Sequence, residues 1–186
     1  MDRPSMATLT KWTVNDYHRM IEAGILQGRQ VELLAGVVVD MSPETPIHYN
    51  TAKRSSRRLQ KLFEDLADVR FNGPITLPND SEPEPDVAIV RLPESLYDDR
   101  HPGPEDIFLV IEFAKSSLKK DTEEKPLIYS AAGIPDYWVV NLSKRELTVF
   151  RDPFEQGYRT KFSQTSGAIA PVAFPALQIS LGQLLE

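Results

Sequence analysis

Pro85-Asp86-Val87-Ala88-Ile89-Val90 and Ile107-Phe108-Leu109-Val110-Ile111-Glu112 are two short apolar runs, each with a carboxylate at one end. Runs of this length and β-branched content read as buried strands. Asp86 opens the first and Glu112 closes the second, and a carboxylate at the end of such a run rarely sits without a partner or a metal. On neighbouring strands the two would converge on one divalent ion, and Lys125, in the segment that follows, offers an ammonium. Magnesium, or manganese, suits such oxygen coordination, completed by water and a substrate phosphate. A metal-activated water and a polarised phosphoryl oxygen are the parts of a metal-dependent phosphodiesterase.

Working outward, strands are expected at 69–71, 86–91, 107–113, 137–141, 145–150 and 158–163, with a helix within 122–132. Upstream, Leu59, Leu62, Phe63 and Leu66 recur at helical spacing in a long amphipathic helix from Ile47 to Leu66, whose other face carries Lys53, Arg54, Arg57, Arg58 and Lys61. Val31-Glu32-Leu33-Leu34 and Val37-Val38-Val39 flank Ala35-Gly36 as a hairpin. Thr13, with Asp16 three residues on, caps a helix carrying Val14, Tyr17, Met20 and Ile21 that ends at Gly24. Strands interleaved with helices give an α/β domain, a central mixed sheet flanked by helices. Residues 1–10 read as a flexible arm and 11–186 as one domain.

The 186 residues, 41% of them hydrophobic, suffice for one sizeable core. There is no cysteine, so disulfides and thiolate zinc sites are excluded. No long apolar run or basic-plus-apolar leader is visible, and a cytoplasmic protein without a membrane role is expected. A net charge of -6 argues against holding nucleic acid over the whole surface, though the stripe from Lys53 to Lys61 could do so locally.

Several of these stretches together resemble the PD-(D/E)xK nuclease superfamily, and in particular its Uma-type branch of small restriction endonuclease-like proteins. They are Val31-Glu32-Leu33-Leu34-Ala35-Gly36, Met41-Ser42-Pro43, Glu84-Pro85-Asp86-Val87, Val110-Ile111-Glu112, Asp121 with Lys125 and Tyr129, and Gly133-Ile134-Pro135-Asp136-Tyr137-Trp138. The resemblance implies a restriction-endonuclease-like fold, a magnesium site, DNA as substrate and a homodimer. Residue by residue, it implies Asp86 and Glu112 as metal ligands, Lys125 as the catalytic lysine and Glu32 as a supporting acid.

The chain departs from the simplest motif, in which the lysine stands two residues after the glutamate; here that position is Ala114. Lys115, one step on, is expected to face solvent. It also stands where the Uma-type branch usually has a serine. Lys125 can serve from the next helix, but Pro126 implies that this helix begins at the proline, with Lys125 at the N-cap. Structural alternatives stand beside each functional one. Asp86 could cap a turn, Glu112 could pair with Lys115 or Lys125, Glu32 could be an outward strand residue, and the basic helix face could be merely solvated. His48 could reach a phosphate or the metal site, or be an ordinary capping residue; His18 and His101 offer nothing. Pro135-Asp136 reads as structural, and Tyr129, Tyr137 and Trp138 as packing between helix and sheet. A catalytically silent module binding nucleic acid or a protein partner is the competing function, favoured by Ala114 and Pro126. A phosphohydrolase acting on small phosphate esters is a third.

Overall fold

The computed structural model describes residues 9–186, so most of the expected N-terminal arm lies outside the described residues. Thr13 caps α1 (Val14–Glu22) through the expected box: its hydroxyl accepts from the Asp16 N–H at 3.1 Å, and the Asp16 carboxylate accepts from the Thr13 N–H at 3.2 Å. β1 (Val31–Leu34) and β2 (Val37–Asp40) pair antiparallel around Ala35 and Gly36, whose φ values of 47° and 76° give the left-handed pair that a two-residue turn requires. Thr45 then caps α2 (Pro46–Phe63), with Pro46 in the first turn where its missing N–H costs nothing. This helix stops short of the expected Leu66, which is exposed. Glu64 and Asp65 would meet the negative end of the helix dipole, and the Leu66 and Ala67 N–H groups fold back onto the Phe63 carbonyl.

The chain then lays down a six-stranded mixed sheet in which spatial order follows chain order: β3 (Asp68–Phe71), β4 (Val87–Val90), β5 (Ile107–Ala114), β6 (Asp136–Asn141), β7 (Glu146–Phe154) and β8 (Gly157–Gln164). All neighbours pair antiparallel except β5 and β6, which run parallel and so need a crossover, supplied by α3 (Lys125–Ala131). β9 (Ala168–Ile169), β10 (Ile179–Ser180) and a short α4 (Leu181–Leu185) follow, none of them marked by the sequence patterns.

Alternation divides the sheet cleanly. Val87, Ile89, Leu109, Ile111, Phe113, Trp138 and Val140 face α2 and α4, packing on Leu59, Phe63 and Leu184. Ala88, Val90, Val110, Ala114, Tyr137 and Val139 face α3, packing on Tyr129 and Ile134. Glu112 lies between Val110 and Ala114 and so points to the α3 side. Ala114 is wholly buried in that layer, so the place of the usual motif lysine is taken up by core packing.

Pro135-Asp136 has a structural role. The fully buried Asp136 carboxylate accepts from Trp138 Nε1 at 2.7 Å, Arg151 Nε at 3.0 Å and the Val172 N–H at 2.9 Å, tying β6, β7 and the C-terminal segment together. Asp136→Ala would strand the Arg151 charge and the other donors, and is expected to cost about 3–5 kcal/mol, read as a lower urea midpoint at neutral pH.

Candidate active site

Glu112, Asp86, Lys125 and Glu32 meet at one end of the sheet. The β4/β5 register places Val87 opposite Ile111 and so sets Asp86 beside Glu112. The Asp86 N–H donates to Glu112 Oε2 at 3.4 Å, and the Asp86 carboxylate accepts from the Phe113 N–H at 2.7 Å through Oδ2. Lys125 Nζ lies 2.7 Å from Glu112 Oε1 and 3.5 Å from Glu32 Oε2. Glu32 is buried, not outward-facing, because the segment ending at Glu82 pairs with Leu33 and closes over β1.

The helix carrying Lys125 does not begin at Pro126. Lys120–Glu124 form a π-helical turn that runs directly into α3, and Lys125 donates its N–H to the Lys120 carbonyl. Continuing that i→i+5 pattern, the next donor would be Pro126 to the Asp121 carbonyl, and proline has no N–H. The Tyr137 hydroxyl fills the place, donating to Asp121 O at 2.7 Å. The proline is thereby accommodated one turn inside a continuous helical segment, and Lys125 is carried over the sheet rather than left at an N-cap. Tyr137→Phe would leave that carbonyl unsatisfied in the core; a loss of about 1–3 kcal/mol is expected in chemical denaturation.

Further residues complete the cluster. Lys120 Nζ reaches Glu32 Oε1 at 2.6 Å, and the Tyr129 hydroxyl donates to Glu112 Oε1 at 3.0 Å while its ring packs under α3 as expected. Asp121 is buried beside them. Asp121, Lys125 and Tyr129 recur at a spacing of four, a one-face signal visible in the sequence. His48, in the first turn of α2, lies with Nε2 3.2 Å from Asp86 Oδ2, and Glu44 stands beside it. Nothing in the sequence pattern marks Glu44.

All of these groups except Tyr129 line a cleft of about 60 Å³. Lys115 is exposed as expected, but it lines the cleft mouth, because β5 ends at Ala114 and alternation no longer governs it. On α2, Arg54 and Arg58 donate to the main-chain oxygens of Glu186 and Gln183 and so hold α4 in place. Lys53 sits over the Tyr49 ring at 5.1 Å, and Arg57 and Lys61 are exposed.

Six carboxylates (Glu32, Glu44, Glu84, Asp86, Glu112 and Asp121) line the cleft against three lysines and His48. Burial, with the Asp121 and Asp86 charges, pushes Glu112 up to about 8 despite the pull of Lys125. Burial also raises Asp121, and it raises Glu84 with help from Glu32. Burial opposes the Lys125 charge, yet Glu112 and Glu32 outweigh it and hold the amine protonated above its ordinary range. His48 is likewise raised: burial works against its charged form, but the Asp86 contact prevails. This excess of oxygen donors, crowded and partly desolvated, fits a divalent cation, with Asp86, Glu112, Glu44 and His48 as the groups able to hold it.

Residues 14–182 match the sequence model of the Uma2 family, described as "Putative restriction endonuclease". The chain belongs to the Uma2 family. Among solved structures, this Uma2 protein is similar to a protein of Anabaena variabilis ATCC 29413 described as a putative nuclease belonging to DUF820. The TM-score is 0.63 at 15% identity, over 83% of this chain and 89% of that one, a likeness of fold. The comparison with curated proteins gave no match.

A raised Glu112 sets the sign of a pH effect. Its folded form binds a proton that the unfolded chain releases above the ordinary value of 4.5, so this contribution to stability is full below about 4.5 and is lost as pH rises through about 8. In a chelator, the melting temperature is expected to fall over that window, and Glu112→Gln to flatten the fall.

Proposed function

We propose that this Uma2 protein is a divalent-metal-dependent DNA endonuclease acting at the cleft between β4, β5 and α3. The observation that carries this reading is the convergence of Asp86, Glu112 and Lys125: one carboxylate immediately precedes β4, its neighbour lies near the end of β5, and a buried ammonium lies 2.7 Å from the second. A bound magnesium or manganese ion would supply Lewis acidity toward a phosphoryl oxygen and a more acidic water. Asp86 and Glu112 would hold the cation. Lys125, kept protonated by Glu112 and Glu32, orients the attacking water and offers positive charge to the phosphate as negative charge builds. Glu32 and Tyr129 restrict the positions that Lys125 and Glu112 can take. Lys115 at the cleft mouth, the half-buried Lys53 and the exposed Arg57 and Lys61 attract the phosphate backbone, whereas Arg54 and Arg58 act through α4.

The competing silent module drew on Ala114 and Pro126. Lys125 reaches Glu112 in spite of both, which favours the enzyme.

The test is nicking of supercoiled plasmid with magnesium or manganese. Asp86→Asn, Glu112→Gln and Lys125→Met are each expected to lower the rate about 10²-fold or more, and chelator to abolish it. Equal nicking by all variants would mark a contaminant and sink the proposal. Arg57→Glu with Lys61→Glu is expected to weaken binding of plasmid and to shallow its salt dependence, by roughly one unit of slope for each phosphate no longer neutralised.

A further inference from the structure

We propose that Glu44 and His48 join Asp86 around the catalytic cation, forming a mixed nitrogen–oxygen site that selects manganese over magnesium; the inference rests on the nuclease reading above. One ligand atom from each of Glu44, His48 and Asp86 lies within 4.8 Å of the other two. Six-coordinate ions with bonds of about 2.1–2.2 Å place adjacent ligand atoms about 3 Å apart and opposite ones a little over 4 Å apart. His48 Nε2 and Asp86 Oδ2, 3.2 Å apart, have the separation of adjacent ligands on such an ion.

The three side chains are held by structure on both walls of the cleft. Glu44 and His48 bracket the start of α2, where Thr45 caps the helix and accepts from the His48 N–H at 3.4 Å. Asn72, just past the end of β3, connects this wall to the other. Its N–H donates to the Asp86 carbonyl at 3.0 Å and its side-chain amide donates to Glu44 Oε1 at 3.2 Å. Asn72 has a φ of 47°, a left-handed conformation that asparagine tolerates better than most residues. The Glu44 carboxylate is thereby aimed by the same turn that leads toward Asp86.

Glu112, the ligand that the sequence pairs with Asp86, already takes three donors. Its Oε1 takes both the Lys125 ammonium and the Tyr129 hydroxyl, and its Oε2 takes the Asp86 N–H. His48 and Glu44, close to Asp86, add donors to the set that Asp86 and Glu112 begin. An all-oxygen set would suit magnesium, which prefers oxygen and sheds water reluctantly. An imidazole in the set shifts preference along the first-row series, because manganese and the metals after it accept nitrogen readily.

The experiment is titration of the full chain with Mn²⁺, followed by electron paramagnetic resonance with Mg²⁺ as competitor, and spin-echo detection of ¹⁴N coupling to the bound ion. Wild type is expected to bind Mn²⁺ at least about 10-fold more tightly than Mg²⁺ and to show imidazole ¹⁴N modulation. His48→Gln should erase the modulation and bring the two affinities together. Glu44→Gln should weaken Mn²⁺ about 10-fold and keep the modulation; Glu44 is exposed, so this variant carries the test if His48→Gln does not fold. Mn²⁺ bound without nitrogen modulation, at affinities unchanged in His48→Gln and Glu44→Gln but lost in Asp86→Asn, would overturn this inference and leave the nuclease proposal standing. No binding of either ion by wild type would overturn both.

Discussion

The Lys125–Glu112 contact is the constraint around which this end of the molecule is organised. Both groups are buried, and removing two charges from water is repaid only if geometry is good and the remaining donors and acceptors are satisfied. Here the ammonium is shared with Glu32, and the carboxylate also accepts from Tyr129 and from the Asp86 N–H. Each of those partners belongs to a different element: β1, α3 and the start of β4. The ion pair therefore specifies how hairpin, crossover helix and sheet meet, whatever its net contribution to stability.

That arrangement depends on an irregular backbone. A regular α-helix through Lys120–Glu124 would turn the side chains that follow by a different amount and would present Pro126 with an unsatisfied acceptor. The π-helical turn and the Tyr137 hydroxyl resolve both, and Tyr137 can do so because the parallel β5/β6 pairing places β6 directly beneath the crossover. Local irregularity in a helix and a buried tyrosine in a strand are thus two halves of one device.

Features with a local cause were legible in the sequence. The Thr13–Asp16 cap, the Ala35-Gly36 turn, the alternation that puts Glu112 on one face of β5 and the apolar runs of the central strands each depend on residues a few positions apart. The Asp86–Glu112–Lys125 cluster was legible because two strand termini and one following helix are ordered along the chain. What escaped depends on contacts across long separations. Leu66 fits the helical spacing, but Glu64 and Asp65 end the helix before it. Arg54 and Arg58 look like a basic face until Gln183 and Glu186, more than a hundred residues later, take their hydrogen bonds. Glu44 has no periodicity to mark it and takes its place through Asn72 and the register of β3 on β4.

The position of Ala114 explains why the lysine moved. On β5 that residue follows Glu112 on the same face, but it is wholly enclosed beneath α3, where Tyr129 and Tyr137 stack edge to face at 4.8 Å. An ammonium there would compete with the aromatic layer for space and would face α3 rather than the open cleft. Supplying the charge from α3 reverses the direction of approach, so that Nζ comes down on Glu112 from above the sheet and leaves the strand position free to pack. The same choice sets the amine between Glu112 and Glu32, which together hold it charged in a site where burial raises Glu112 and Asp121. A charged donor and carboxylates that give up protons only reluctantly are complementary needs, and a divalent cation satisfies the second without disturbing the first.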